Sequence, residues 1–297
     1  MLARFLLFLC VVIWGSTFVA TKIMLDYVSP AELLGLRMII GVPILAFVVL
    51  VKRIKLQFEF REQMNLLAGS AVITAHFLIQ ITGLKYTTAT NTGWIIAITP
   101  LALAVLSFLI LKERISRNVV VGIIVATAGV MFLVSRGELS HIGWLKSIGD
   151  WLILASAHTW AIYTIVIRDI SRKKNPVAVT FAILLPTAVL MTGYLLLFFD
   201  WSVLANFPAR AWAALILLGV FGTALAHWWW QEGVAALGAA RAGIFLYVEP
   251  LTATALGVAL LNEQFGLFTA IGAACVLGGI LIAERRTKIL IPRPDTG

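Results

Sequence analysis

Charged residues are scarce in this sequence of 297 residues. Only 12% of the residues are Asp, Glu, Lys or Arg, whereas 61% are hydrophobic, and the mean hydropathy is +0.99. A soluble globular chain usually has about 25% charged and about 45–50% apolar residues. Too little polar surface is present to coat a soluble protein, so the composition predicts an integral membrane protein.

Cysteine and the residues of known catalytic motifs are also scarce. The two cysteines, Cys10 and Cys275, lie in apolar runs, which excludes a disulfide framework and a cysteine metal site. No nucleotide-binding loop, HExxH, GxSxG or paired-carboxylate pattern occurs. We therefore expect no enzyme activity, no cofactor and no metal, with a channel and an intramembrane enzyme as the competing classes.

Acidic residues are fewer than basic ones, 14 against 23, which gives a net charge of +9. A basic protein can bind nucleic acid, but here the Lys and Arg residues lie between apolar blocks and form no basic helix or arm. We expect no nucleic-acid partner.

Apolar segments long enough to cross a bilayer recur along the whole chain. A membrane-spanning helix needs about 20 apolar residues, and by that measure the sequence predicts an all-α integral membrane protein with ten transmembrane helices. The predicted spans are residues 4–25, 32–51, 64–84, 88–111, 117–135, 150–168, 176–199, 210–231, 238–261 and 267–283.

The distribution of Lys and Arg predicts which side each loop faces. With the N-terminus in the cytoplasm, 17 of the 23 basic residues lie on the cytoplasmic side of the predicted spans. Because Lys and Arg accumulate in cytoplasmic loops, both termini are predicted to be cytoplasmic. We expect a multi-pass protein of the cell membrane, whether plasma or inner.

One sequence pattern occurs twice. IIAITPLALAVLSFLILKE at residues 95–113 and FLYVEPLTATALGVALLNE at residues 245–263 share a Pro and a terminal Glu at an offset of 150. In the first span of each half, Trp14 matches Trp160 at an offset of 146. Glycines also match at the offset of 150, in the pairs Gly83 and Gly233, Gly93 and Gly243, Gly122 and Gly272, and Gly129 and Gly279.

These matches predict a duplicated chain. Since each half holds five spans, an odd number, the second half enters the membrane from the opposite side, and such inverted repeats are typical of secondary transporters. We assign residues 1–146 to the first five-helix repeat, 147–285 to the second, and 286–297 to a basic cytoplasmic tail.

Several longer segments carry a family resemblance. They are VVIWGSTFVATKIML in the first span, GLKYTTATNTGWIIAITPLALAVLSFLILKERIS, and YVEPLTATALGVALLNEQF followed by IGAACVLGGILIAERR. In their order and spacing the chain resembles the drug/metabolite transporter superfamily, in its ten-helix EamA-type branch. The resemblance implies a carrier of small metabolites such as amino acids or drug-like compounds. Residues 5–25 hold no acidic residue, so the first-helix Glu of small multidrug resistance proteins has no counterpart here.

We expect a secondary transporter that exports a small amphiphilic metabolite by alternating access, with an amino-acid-like cargo favoured over a sugar. The alternative is a multidrug exporter of lipophilic cations. The expected partners are the small-molecule substrate and the lipid bilayer, with protons as a candidate co-substrate. A monomer is expected to suffice for transport.

Ionisable residues inside the predicted spans are few, and the cost of placing them in hydrocarbon makes each a candidate functional residue. Glu249 is the candidate coupling residue, as a proton site or as an anchor for a substrate ammonium. The alternative is a carboxylate that only hydrogen-bonds neighbouring helices. Its repeat partner is Thr99, which cannot titrate. The other ionisable residues in spans are Arg37, His76, His158, His227 and Arg241.

Further candidates come from spacing and residue type. His76 and Gln80 lie four residues apart on one helix face, which favours a pair that binds a polar substrate group. Pro100 and Pro250 each remove a backbone hydrogen bond and are predicted to be hinges or kinks. Aromatic residues within spans are candidates to wall a substrate site, with lipid-facing or core packing as the alternative; they are Trp14, Trp94, Trp160, Tyr163 and Tyr247.

Overall fold

Every regular element that the structure describes is helical. The computed structural model describes residues 1–112, 115–135, 147–261 and 267–284, and these ranges contain no strand. The all-α class is confirmed. The α-helices are α1 (Leu2–Leu25), α2 (Pro30–Val51), α3 (Phe60–Tyr86), α4 (Ala89–Ile96), α5 (Thr99–Leu109), α6 (Arg117–Ser135), α7 (Ile148–Lys173), α8 (Pro176–Phe198), α9 (Ala209–Ile216), α10 (Ala226–Leu237), α11 (Ala239–Ile244), α12 (Val248–Leu261) and α13 (Leu267–Glu284).

Seven helical stretches in these ranges are long and apolar enough to cross a bilayer, so a multi-pass membrane protein is confirmed. Two more, Arg117–Met131 and Ala270–Ala283, are apolar but shorter. The count of ten spans and the division into inverted repeats stay predictions, and the predicted tail, 286–297, lies outside the described residues. The seven stretches are Leu2–Leu25, Pro30–Val51, Phe60–Tyr86, Asn91–Leu109, Ile148–Lys173, Pro176–Phe198 and Ala209–Leu237.

Polar caps and one glycine set several helix ends. At α2 the Ser29 hydroxyl accepts a hydrogen bond from the Glu32 N–H (3.4 Å), and the Glu32 carboxylate accepts one from the Ser29 N–H (2.7 Å). Ser147 and Asp150 form the same reciprocal pair at α7. These caps satisfy N–H groups that a helix start leaves unpaired. Between α10 and α11, Gly238 has a φ of 84°, which glycine adopts without strain.

Two predicted spans are interrupted just before a proline. α4 ends at Ile96 and α5 begins at Thr99, directly ahead of Pro100. α11 gives way to a 3₁₀ turn, Phe245–Tyr247, which leads into α12 with Pro250 as its third residue. Since proline lacks an N–H and its ring crowds the preceding turn, both interruptions have a local cause. Whether either acts as a hinge stays a prediction.

A π-helical segment, Leu217–Leu225, joins α9 to α10. It packs closely against α2, because a Cβ atom on Gly41 would lie 2.6 Å from the Gly219 carbonyl oxygen and 2.8 Å from the Thr223 side chain. The π-helix has hydrogen bonds between residues five apart and is frequent at functional sites. No pattern in the sequence predicted this segment.

The helix α1 runs through the centre of the bundle. It packs mainly against α10 and α12, which belong to the other predicted repeat. Its residues Leu7, Cys10 and Met24 are fully buried. The two halves of the chain therefore pack against each other around α1. Helices from both halves enclose the space beside the midpoint of α1.

Candidate functional site

A cavity lies at the centre of the bundle, beside the middle of α1. The unfilled space of the cavity, counted with its open mouth, is about 460 Å³. The centre of a water molecule can occupy about 40 Å³ of it, which is enough for a few waters. The lining side chains are aromatic (Trp14, Phe18, Phe77, Trp160), basic or acidic (Arg37, His76, His227, Glu249), otherwise polar (Thr17, Gln80, Thr99) or aliphatic (Ile96, Ala157, Leu246).

Five of the predicted site residues line this cavity. His76 and Gln80 come from α3, one helical turn apart, as their spacing predicted. Trp14 comes from α1, Trp160 from α7 and Glu249 from α12. The cavity is thus built by residues far apart in the chain and from both predicted repeats.

The structure does not bring the other three predicted substrate residues to the cavity. Tyr163 and Tyr247 are 0% exposed, and their hydroxyls hydrogen-bond side chains of other helices at 2.8 and 2.7 Å. Trp94 is absent from the lining, and its Nε1 is buried without a partner among the described residues. Tyr247 lies two residues before Glu249, and each residue turns a helix by about 100°. The two side chains therefore lie about 200° apart around the helix axis, and Tyr247 faces away from the side that carries Glu249.

The two tryptophans that the predicted repeat matches form one wall. The ring centroids of Trp14 and Trp160 lie 4.8 Å apart with an angle of 84° between the planes, an edge-to-face geometry that aromatic pairs favour. His227 lies 5.1 Å from Trp14. Trp230, which is fully buried, packs behind both tryptophans at 5.5 and 5.6 Å. A ligand in the cavity would therefore meet a tightly packed aromatic surface.

Arg37 also lines the cavity, although the sequence predicted no role for it beyond its being an ionisable residue in a span. Its side chain is buried, its Nε donates to Thr223 Oγ1 at 2.8 Å, and its Cζ lies 4.5 Å from the centre of the Phe77 ring. No carboxylate among the described residues lies within ion-pair distance, 4.0 Å. Since a guanidinium stays charged in proteins, the cavity contains a buried positive charge that no described residue neutralises.

Glu249 supplies the acidic group. It lies in the first turn of α12 and is 4% exposed, and it forms no hydrogen bond or ion pair with another described side chain. A helix N-terminus favours an acidic side chain. α1 approaches the backbone here, because a Cβ on Gly15 would lie 2.8 Å from the Glu249 carbonyl oxygen. Arg37 and Glu249 thus line the same cavity without pairing with each other.

His76 and His227 are held in the same tautomer. The Nδ1 of His76 lies 2.9 Å from the Ser156 carbonyl oxygen, and the Nδ1 of His227 lies 2.8 Å from that of Gly222. A carbonyl oxygen only accepts, so Nδ1 carries the hydrogen in both rings, and Nε2 of the neutral imidazole is an acceptor. In His227 this Nε2 is buried and has no partner among the described residues.

The π-helical segment orients three cavity side chains. The Gly222 carbonyl accepts from both Trp14 Nε1 (3.1 Å) and His227 Nδ1. The Thr223 hydroxyl, which accepts from Arg37, donates to the carbonyl five residues earlier at 2.8 Å. The wide π turn leaves carbonyls for such side-chain donors. The position of Arg37, Trp14 and His227 therefore depends on this one segment.

Two other ionisable residues of the predicted spans lie elsewhere. His158 is exposed on α7 and bonds the Leu154 carbonyl through Nδ1 at 2.9 Å. Arg241 lines a second cavity together with Arg168 and Arg172, at the start of α6 and of α11. Neither His158 nor Arg241 reaches the central cavity.

The chain is similar to known transporters over nearly its whole length. The pattern described as the EamA-like transporter family matches residues 1–135 and 147–284. "Uncharacterized transporter YetK" of Bacillus subtilis (strain 168) is 30% identical over 286 residues, which cover 92% of this chain and 84% of that protein. "Uncharacterized transporter YyaM" of the same organism is 28% identical over 287 residues, covering 95% and 92%.

An archaeal relative and a solved structure agree with this similarity. An "Uncharacterized transporter" of Archaeoglobus fulgidus is 29% identical over 284 residues, covering 95% of this chain and 96% of that protein. A solved structure described as "Crystal structure of protein" has a TM-score of 0.74 at 22% identity, covering 95% of this chain and 96% of that one. At this identity the solved structure supports the fold alone.

Proposed function

The chain belongs to the EamA-like transporter family and is a multi-pass membrane transporter, and from that premise we propose that it exports a small amphiphilic, amino-acid-like metabolite by alternating access. The sequence carries no nucleotide-binding motif, so a gradient of the substrate or of an ion drives transport. We further propose that it works as a monomer in the cell membrane with both termini in the cytoplasm.

The observation that supports this cargo is the pair of unneutralised groups in the cavity. Arg37 and Glu249 line the same cavity, and neither has an ion-pair partner among the described residues. A lone buried charge costs several kcal/mol in desolvation. A zwitterion supplies a carboxylate for the guanidinium and an ammonium for the Glu249 carboxylate, and so offsets both costs at once.

The remaining walls suit an apolar side chain on that zwitterion. Trp14, Trp160 and Phe77 present ring surfaces, and Ile96 and Leu246 add aliphatic ones. Small-molecule sites commonly combine such apolar walls with a few fixed polar groups. An amphiphilic amino acid fits this combination better than a sugar, whose many hydroxyls would need more hydrogen-bonding partners.

Lipophilic cations are the second candidate cargo. The Glu249 carboxylate and the indole faces of Trp14 and Trp160 attract a cation. The guanidinium of Arg37, which lines the same cavity, repels it. The same Arg37 attracts the carboxylate of an amino acid, and this difference favours the zwitterion.

Substrate counterflow in proteoliposomes tests the proposal. We would compare L-phenylalanine with phenethylamine, which lacks the carboxylate, with 3-phenylpropionate, which lacks the ammonium, and with a quaternary ammonium compound. We expect L-phenylalanine or another amino acid of the panel to exchange fastest. Arg37→Gln should slow amino-acid exchange about 30-fold, because an interaction with a buried charge contributes about 2 kcal/mol or more.

The matched control is Arg241→Gln, which removes an exposed arginine from the second cavity and should leave exchange unchanged. Exchange of quaternary ammonium compounds alone would show that the lipophilic-cation alternative is correct. Counterflow itself requires a carrier, so passive equilibration without counterflow would instead indicate a channel.

A further inference from the structure

Two rings of the central cavity each contain a buried polar atom without a partner. They are Nε2 of His227 and Nε1 of Trp160, and neither has a hydrogen bond within the part of the chain that the structure describes. Both residues line the cavity, with ring centroids 5.7 Å apart. Buried polar atoms are usually satisfied, so an unpaired set at one cavity points to a group that binds there.

The two atoms have complementary chemistry. The Nδ1–H of His227 donates to the Gly222 carbonyl at 2.8 Å, which leaves Nε2 as an acceptor, whereas the indole Nε1–H of Trp160 is a donor only. A ligand group that satisfies both atoms must therefore donate one hydrogen bond and accept another. A hydroxyl group of a ligand does so, as does a water molecule that the ligand would displace.

Comparison with the neighbouring indoles singles out Trp160. Its repeat equivalent, Trp14, donates Nε1–H to the Gly222 carbonyl at 3.1 Å and is satisfied. Trp230 also has an unpartnered Nε1, but its ring is fully buried and does not line the cavity. Of these three tryptophans, Trp160 is the one that combines an unpartnered N–H with a place on the cavity wall.

We propose that the substrate carries a hydroxyl group that donates to His227 Nε2 and accepts from Trp160 Nε1. These two residues then determine specificity for a hydroxylated substrate over its deoxy analogue. The inference rests on the proposed function for the rest of the substrate, since Arg37 and Glu249 hold its charged groups. It adds the chemistry of the substrate's third polar group.

Pairs of substrates that differ only by a hydroxyl test this inference. In proteoliposome counterflow we would compare L-threonine with the near-isosteric L-valine, L-tyrosine with L-phenylalanine, and tyramine with phenethylamine. We expect the hydroxylated member of at least one pair to compete about tenfold better or more, because the analogue leaves a buried donor and acceptor unpaired. The pair of amines keeps the test valid if the cargo is a cation.

Single substitutions then identify the side chains that cause the preference for the hydroxylated substrate. Trp160→Phe keeps an aromatic ring and removes the N–H, and His227→Phe removes the acceptor, so each should reduce the preference to about twofold or less. Trp230→Phe is the matched control, since it removes an unpartnered indole N–H outside the cavity lining, and it should keep the preference. If His227→Phe fails to fold because the bond to Gly222 is lost, Trp160→Phe and the wild-type ratios still decide.

The outcomes separate this inference from the proposed function. Equal competition within all three pairs, with the amino acids still exchanging, would overturn the hydroxyl site while leaving amino-acid transport intact. A hydroxyl preference seen with the amines alone would support the site and contradict the zwitterionic cargo. A preference that survives both Trp160→Phe and His227→Phe, or no exchange of any of the six compounds, would contradict the inference.

Discussion

At the scale of single residues, Glu249 is the residue through which we expect transport to be coupled. Its carboxyl group lines the cavity with no described partner, and a proton and a substrate ammonium compete for it because one carboxylate cannot hold both. We predict that Glu249→Gln abolishes accumulation of substrate driven by an imposed pH gradient. The amide keeps the shape of the side chain but exchanges no proton. Uptake into proteoliposomes with and without the pH gradient measures this.

Glu232→Gln is the control for that experiment, because Glu232 accepts a hydrogen bond from Trp228 at 3.0 Å and lies outside the cavity lining. It should keep the response to the pH gradient. If Glu249→Gln still concentrates substrate with unchanged pH dependence, Glu249 does not carry the coupled proton and has only a packing role.

The sequence identifies the buried ionisable residues but not which of them share a cavity. Placing an ionisable side chain in the hydrocarbon of the bilayer costs free energy at any position in a span. For this reason Arg37 and His227 could be named as candidates. Their positions could not be predicted, because α2 is apolar on all sides of Arg37 and no periodicity marks its inner face. Residue type also could not predict the position of Tyr163, whose buried hydroxyl accepts from Gln231 and which is absent from the cavity lining.

At the scale of elements, the sequence predicts the interruptions before the two prolines but not the π-helical segment. Pro100 and Pro250 act through their own missing N–H, so the interruptions before them follow from residue type. Leu217–Leu225 contains no proline, and its wide turn packs closely against α2 at Gly41. Tertiary packing of that kind leaves no local signal, yet it determines where three cavity side chains point.

Close packing of α6 against α13 gives an element-scale prediction. A Cβ on Gly279 would lie 2.6 Å from the Gly122 carbonyl oxygen and 2.8 Å from the Ala126 nitrogen, whereas a Cβ on the adjacent Gly278 meets nothing within 4 Å. We predict that Gly279→Ala destabilises the protein by about 1–3 kcal/mol through overpacking. Thermal unfolding in detergent measures the loss.

Gly278→Ala is the matched control, one residue away on the same helix, and should leave the unfolding temperature nearly unchanged. Equal unfolding temperatures for the two variants would mean that α6 and α13 are not in the contact described here.

At the scale of the whole molecule, contacts recur between repeat-equivalent residues. Trp14 and Trp160, matched at an offset of 146, touch each other. A Cβ on Gly83 would meet Ile153, and a Cβ on its equivalent, Gly233, would meet Leu7, which corresponds to Ile153 at the same offset of 146. A two-fold relation between the halves predicts such reciprocal contacts.

The glycines of α6 and α13 follow the same rule. A Cβ on Gly122 would lie 2.5 Å from the Gly279 carbonyl oxygen, and a Cβ on Gly129 would lie 2.7 Å from that of Gly272. At the offset of 150, Gly122 matches Gly272 and Gly129 matches Gly279. Exchanging the two halves therefore converts the contact of Gly122 with Gly279 into the contact of Gly272 with Gly129. These contacts support the predicted inverted repeat more directly than the apolar composition of the spans does.

The start of α1 and the end of α13 lie at one end of the bundle. Leu7 lies against Gly233 near the end of α10, and Ala283 lies against Gly122 near the start of α6. The end of α10 and the start of α6 both line the second cavity, which places all four helix ends together. The arginines of that cavity, Arg168, Arg172 and Arg241, lie at this same end.

This arrangement yields the prediction that the end carrying the second cavity faces the cytoplasm. It rests on the location of 17 of the 23 basic residues on that side of the predicted spans, since Lys and Arg accumulate in cytoplasmic loops. Cys10 and Cys275 would be replaced with Ser, and single cysteines introduced at the exposed Lys55 and Ala205, which lie at opposite ends of the bundle. A membrane-impermeant maleimide applied to intact cells should label Ala205→Cys at once and Lys55→Cys only after lysis. The reverse pattern would place both termini outside and would invert the proposed direction of every helix.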